Sequence, residues 1–92
     1  MAVTASEITK GIDILREFGA ERVVLFGSAV ESPETAADLD LAVEGIRKEK
    51  YLEALGELED ALPIPVDLVD LSGDTQLCRR ILRTGRVIYD RR

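Results

Sequence analysis

The chain has 92 residues, 46% of them apolar and 33% charged, which sets it apart from disordered proteins and predicts one small globular domain spanning 1–92. It contains no histidine and one cysteine, Cys78, so imidazole acid–base chemistry, Ser-His triads, internal disulfides and cysteine-based zinc sites are excluded. The net charge of −6 argues against generic nucleic-acid binding, and no direct DNA binding is expected.

Met1–Ser6 lacks a basic start and a long apolar segment, and no later run reaches membrane-spanning length, so a cytoplasmic protein with no membrane contact is expected. Thr4-Ala5-Ser6-Glu7 fits a capping box that opens a helix. Ile8, Ile12, Leu15 and Phe18 then recur at helical spacing and mark a core face, with Gly19 as the stop. Val23-Val24-Leu25-Phe26 is a continuous apolar run, as expected for a strand covered on both faces. It ends abruptly at Gly27-Ser28. Glycine lets backbone approach a ligand, and the serine hydroxyl with neighbouring amides can form an anion-binding concavity. An ordinary strand-ending turn is the alternative.

Residues 31–37 read as a polar, mobile connection in which Ser32-Pro33-Glu34 could start a turn of helix. Across Asp38-Leu39-Asp40-Leu41-Ala42-Val43 a strand puts Leu39 and Leu41 on one face and Asp38 and Asp40 on the other. Two adjacent carboxylates either raise a pKa or invite a cation. Mg²⁺ suits them, because it takes carboxylate and phosphate oxygens. A solvated face whose charges keep a strand soluble is the bland alternative.

A second helix is predicted over 46–61, with Ile46, Leu52, Leu55, Leu58 and Leu62 as its apolar stripe. Gly56 inside it costs about 1 kcal/mol relative to alanine and leaves room for a close approach by another element. Leu62-Pro63-Ile64-Pro65 ends it and forces an extended entry to a third strand over 64–71. Asp67 lies inside that apolar run, where a carboxylate is costly unless paired or metal-bound, while Asp70 faces the other way. Ser72-Gly73-Asp74 supplies a turn and N-cap for a third helix over 75–84, with Leu77, Ile81 and Leu82 facing the core and Cys78 as a small core residue. Gly85 closes that helix and Val87-Ile88-Tyr89 forms a short last strand. Arg79, Arg80, Arg83, Arg86, Arg91 and Arg92 make the C-terminal end locally basic. Such a patch meets phosphate, RNA or an acidic partner, or is simply a solvated helix face and charged tail. The alternation of helix and strand predicts an α/β domain of three or four strands with helices packed mainly on one face.

Leu25-Phe26-Gly27-Ser28, Asp38-Leu39-Asp40-Leu41 and Val66-Asp67-Leu68-Val69 together resemble the signature of the DNA polymerase β-like nucleotidyltransferases. The closest resemblance is to the minimal nucleotidyltransferase (MNT) group of prokaryotic proteins, and it extends to the ending Ile81–Tyr89. It implies a palm-like nucleotidyltransferase fold with a small mixed sheet. It implies that Asp38, Asp40 and Asp67 are catalytic and bind two Mg²⁺ ions, that Gly27 and Ser28 bind the phosphates of ATP, and that the 31–37 connection orders over the nucleotide. It further implies an antitoxin that transfers AMP to a tyrosine of a helical HEPN-domain toxin, within a homo- or hetero-oligomer. A binding-only antitoxin and the catalytic subunit of a small-molecule nucleotidyltransferase are the alternatives. The sequence departs from the family pattern at three points: nine residues, Ala29 to Ala37, separate the serine from Asp38 where ten are usual, the Arg-Gly pair after the serine is replaced by Val30-Glu31-Ser32-Pro33, and Ala37 stands where a serine often precedes the first aspartate.

Overall fold

In the computed structural model, which describes residues 3–92, eight elements alternate along the chain. They are α1 (Ala5–Glu17), β1 (Arg22–Phe26), α2 (Ser28–Glu31), β2 (Leu39–Glu44), α3 (Lys48–Ala61), β3 (Val66–Asp70), α4 (Gln76–Thr84) and β4 (Arg86–Asp90). Met1 and Ala2, which begin the segment expected to carry no leader, lie outside the described residues. No described helix is long and apolar enough to cross a membrane.

The four strands form one mixed sheet in the order β3-β2-β1-β4. β1 is antiparallel to both β2 and β4, and β2 is parallel to β3. The α/β architecture, with helices mainly on one face, is as the sequence predicts. α1 and α3 cover the face carrying Val23, Leu25, Leu39, Leu41, Val43 and Val66, where Leu15, Ala54 and Leu58 are fully buried against it. α4 alone covers the opposite face, laying Cys78 and Ile81 on Val24 and Ala42.

α1 begins as expected. Thr4 Oγ1 accepts from the Glu7 amide at 3.2 Å, and Glu7 Oε1 accepts from the Thr4 amide at 2.9 Å, which satisfies two otherwise orphaned donors. At the other end of the sheet, Arg22 and Glu44 are cross-strand partners joined by an ion pair of 3.0 Å. Arg92 adds a second contact to Glu44 at 3.3 Å and ties down the C-terminus. α3 is fixed to the sheet edge by the Tyr51 hydroxyl, which donates to the Leu68 carbonyl. Burial, followed by the nearby charge of Asp70, raises the pKa of that hydroxyl.

Several local expectations are corrected. The buried side of α3 is Ala54 and Leu58, with Tyr51 packed alongside; Leu52 is 77% exposed and Leu55 only half-buried. Nothing lies within 4 Å of where a Cβ on Gly56 would stand, so no element makes a close approach there. α4 is capped by Thr75, whose hydroxyl accepts from the Cys78 amide at 3.1 Å, and not from within Ser72–Asp74. Leu77 and Leu82 remain exposed. The helical turn in the connection lies at Ser28–Glu31, ahead of Ser32-Pro33-Glu34. The rest of the connection is anchored: Ala36 is buried in the main core, and the Pro33 carbonyl accepts from the Val3 amide at 3.1 Å.

Candidate functional site

The end of β1 and the beginnings of β2 and β3 meet at one end of the sheet. Phe26 on β1 stands opposite Asp40 on β2, and Asp40 opposite Asp67 on β3. Strand alternation puts Asp40 on the face opposite Leu39 and Leu41. Those leucines take the thick α1–α3 layer, so the aspartates share the thinner face with Val24, Phe26, Ala42 and Val69. Asp38 lies one residue before β2, exposed, although the sequence reading had it inside the strand. Asp70 faces the opposite layer, as expected, and turns back to accept from the Ser72 amide at 2.9 Å.

Like charges directly across a ladder repel each other. Here the consequence falls on Asp40. Burial, then a hydrogen bond and the negative charge of Asp67, then the charge of Asp38, push its carboxyl up to about 6. At neutral pH the group therefore carries a charge that its surroundings disfavour. That is the condition under which a cation binds.

Gly27 brings the phosphate-side half of the expected site to the same place. It has φ +74°, a conformation that L side chains rarely adopt, and a Cβ there would collide with the Asp40 carboxylate. The glycine thus lets the chain turn directly over the carboxylate. Ser28 follows as the exposed first residue of α2. Its amide and that of Ala29 have no acceptor within so short a helix. All five residues singled out in the sequence, Gly27, Ser28, Asp38, Asp40 and Asp67, thus come from segments gathered at one sheet end.

The donors available to a cation are carboxylate oxygens, and the one thiol, Cys78, is buried beneath α4. This set fits a hard dication such as Mg²⁺ and does not suit softer metals. Among the described residues no three side chains of His, Cys, Asp or Glu close around one point. An open arrangement of one or two carboxylates is the usual form where substrate phosphates complete the coordination.

Sequence reasoning did not place one further group here. A cavity of about 290 Å³ opens beside Gly27 and is lined by Phe26, Glu31, Leu77, Arg80, Ile81 and Thr84. Its signal was the local run of arginines in α4, which could equally have been a solvated face. A larger concavity, about 480 Å³, lies between α1 and β4, is lined by Asp13, Arg16, Glu17, Ala20, Tyr89 and Arg91, and includes none of the clustered aspartates.

Comparison with known proteins agrees with this fold. Among solved structures, the chain is similar to the toxin–antitoxin MntA-HepT, at 28% identity and a TM-score of 0.73, covering 95% of this chain and 73% of that one. It is similar to a toxin–antitoxin structure with AMP-PNP at 29% identity and a TM-score of 0.73, covering 92% of this chain and 72% of the other. A third similar structure is the tri-AMPylated Shewanella oneidensis HEPN toxin in complex with MNT antitoxin, at 28% identity and a TM-score of 0.72, with coverage of 92% and 71%. None of the curated proteins matches the chain. The family described as Polymerase beta, Nucleotidyltransferase matches residues 9–92, which takes in every residue of the site. The chain belongs to this nucleotidyltransferase family.

Proposed function

We propose that this protein transfers AMP from ATP to a hydroxyl group of a HEPN-domain toxin and so acts as its antitoxin. The observation that carries the reading is the gathering of Asp38, Asp40 and Asp67 against the Gly27-Ser28 turn at one sheet end. Family membership and the AMPylated toxin in a similar complex support it.

In this reading Asp38, Asp40 and Asp67 hold Mg²⁺, two ions by family resemblance. Held there, the metal would neutralise phosphate charge and polarise the phosphorus–oxygen bonds. Ser28 and the adjacent amides hold the β- and γ-phosphates. The acceptor hydroxyl, a tyrosine by resemblance, attacks the α-phosphorus. The new oxygen–phosphorus bond forms as the bond to pyrophosphate breaks, and the hydroxyl proton passes to a carboxylate of the cluster or to water. Positioning and charge neutralisation account for most of the catalysis in such transfers, so a chain without histidine can perform them.

A contact-only antitoxin is the second reading. It is favoured by Glu31, an acid bordering the cavity next to Gly27, and by the nine-residue connection from Ala29 to Ala37. Incubation with Mg²⁺, α-labelled ATP and the HEPN protein of the adjacent gene separates the two. Label on the partner is the expected result, and the Asp38→Asn, Asp40→Asn double variant should abolish it while the far-UV spectrum is unchanged. Undiminished labelling by the double variant would overturn the site. A stable complex without label would favour contact alone.

A further inference from the structure

We infer that Arg80 is the side chain that receives the triphosphate of the nucleotide, an assignment that rests on the nucleotidyl-transfer reading and deepens it. The electrostatics of the sheet end call for such a residue. Gly27 stands against Asp40 and shares a cavity with Glu31; Asp67 and Asp38 add their charges beside Asp40, and a nucleotide triphosphate brings several more negative charges to the same place. The half of the chain that supplies Gly27 and Ser28 has only Lys10, Arg16 and Arg22 as bases. Arg22 is paired with Glu44 at the far end of its strand, and Arg16 lies over the Tyr89 ring, 5.2 Å from its centre. Lys10 is on the exposed side of α1. None of these borders the cavity beside Gly27.

Arg80 does. It lines that cavity together with Gly27 and Thr84, and it forms no ion pair among the described residues. Its neighbour Arg79 is engaged with Asp74 at 3.6 Å. Arg83 lines a different concavity, with Gln76, Arg79 and Arg80. Among the described residues Arg80 is the base that lines the cavity beside Gly27 with its guanidinium uncommitted; Arg86, the cross-strand partner of Leu25, is at the same sheet end but does not line that cavity. Its backbone is held in place, because α4 is capped by Thr75 and anchored by buried Cys78 and Ile81 on either side of it. The cavity wall is partly apolar, through Phe26, Leu77 and Ile81, and this strengthens a charge–phosphate contact relative to bulk water. The planar guanidinium fork matches two phosphate oxygens at once, which an ammonium group cannot do.

The test measures equilibrium binding of Mg-ATP, Mg-tripolyphosphate and AMP to the full chain and to Arg80→Gln, Arg80→Lys and Arg83→Gln, with thermal unfolding as the check on folding. Arg80 is exposed, so its replacement leaves the core intact. Arg80→Gln should weaken ATP and tripolyphosphate by about 10-fold or more, the usual scale for losing a charged hydrogen-bond partner. AMP binding should be unchanged, Arg80→Lys should fall between Arg80→Gln and the wild type, and Arg83→Gln should bind like the wild type. Equal ATP affinity in Arg80→Gln and wild type would overturn the assignment of Arg80 and leave nucleotidyl transfer standing. An equal loss for AMP and ATP would overturn it too, because the contact would then be to the nucleoside. A wild-type chain that binds neither ATP nor tripolyphosphate would overturn both Arg80 and the transfer reading.

Discussion

A half-buried carboxyl group with two other carboxylates beside it has two ways to lose its charge penalty: it keeps its proton, or a cation joins it. Asp40 is in that position, pushed up to about 6 mainly by burial and next by Asp67. The effect on stability follows from the sign of the shift. Below the ordinary carboxylate range Asp40 is protonated in the folded and unfolded chain alike, and its contribution is fully present. As pH rises towards and through 6, the unfolded chain releases the proton more readily than the folded one, and stability is lost. Asparagine keeps the shape and can still donate to Asp67, but it never ionises. In EDTA, Asp40→Asn should therefore raise the unfolding temperature at pH 8, and the gain should vanish at pH 4. Added Mg²⁺ should narrow the gap by stabilising the wild type alone. A variant no more stable than wild type at pH 8 in EDTA would show that the carboxylates are not held against one another. Sequence alternation was enough to put Asp40 on the face away from Leu39 and Leu41 and Asp67 inside an apolar run, without placing the two together. It could not reveal that they stand directly opposite, because register depends on where β3 enters, and Pro65 helps set this by accepting from the Leu39 amide through its carbonyl at 2.9 Å.

Among the elements, α4 shows where sequence pattern stops being informative. Leu77, Ile81 and Leu82 have the spacing of a core face, yet only Ile81 joins Cys78 beneath the helix. The receiving side of the sheet offers α4 buried Val24 and Ala42, with Leu71 beside them and Phe26 and Val69 only partly buried, while Asp40 and Asp67 take two further positions on that face. A narrow apolar strip accepts two side chains and leaves Leu77 at its margin, where it lines the cavity beside Gly27. Periodicity reports which residues are apolar, and not how wide a surface awaits them. In α3 the same limit hid Ala54, whose small side chain is buried where Leu52 had been expected. Gly56, inside α3, and Gly85, at the C-cap of α4, distinguish space from constraint. A Cβ on Gly56 meets nothing within 4 Å, so Gly56→Ala should stabilise the fold by about 0.5–1 kcal/mol through helix propensity alone. A Cβ on Gly85 would lie 2.6 Å from Val24 Cγ1, 2.7 Å from the Ile81 carbonyl oxygen and 2.8 Å from that of Leu25. Two of those three atoms are backbone and cannot turn aside, so Gly85→Ala should cost about 1–3 kcal/mol. Urea unfolding of both variants checks the pair; opposite signs are expected, and a neutral Gly85→Ala would mean that α4 is not packed tightly against β1.

At the scale of the whole molecule, the sheet separates two layers of very unequal size. Among the described residues, sixteen buried ones form the α1–α3 side and five form the α4 side, so the two should open with different free energies. The thin side is also the side of the proposed site, carrying Asp40, Asp67 and the cavity that Arg80 borders. Mixed-sheet topology explains the coincidence. The aspartates must emerge on some face, and every one of them there displaces an apolar side chain that would otherwise hold a helix. Hydrogen exchange of the ligand-free chain should therefore find α4 less protected than α1 and α3, although all three are ordered helices. In the proposed site Mg-ATP would engage the strand carboxylates on one side and Arg80 on the other, and so would link α4 to β1, β2 and β3 through the ligand. Its addition should slow exchange in α4 more than in α1, by an amount that follows nucleotide saturation. Uniform protection in the free chain would contradict the two-layer account of stability. A rise confined to the β1–α2 turn would mean instead that the nucleotide is held by the Gly27-Ser28 segment without help from α4.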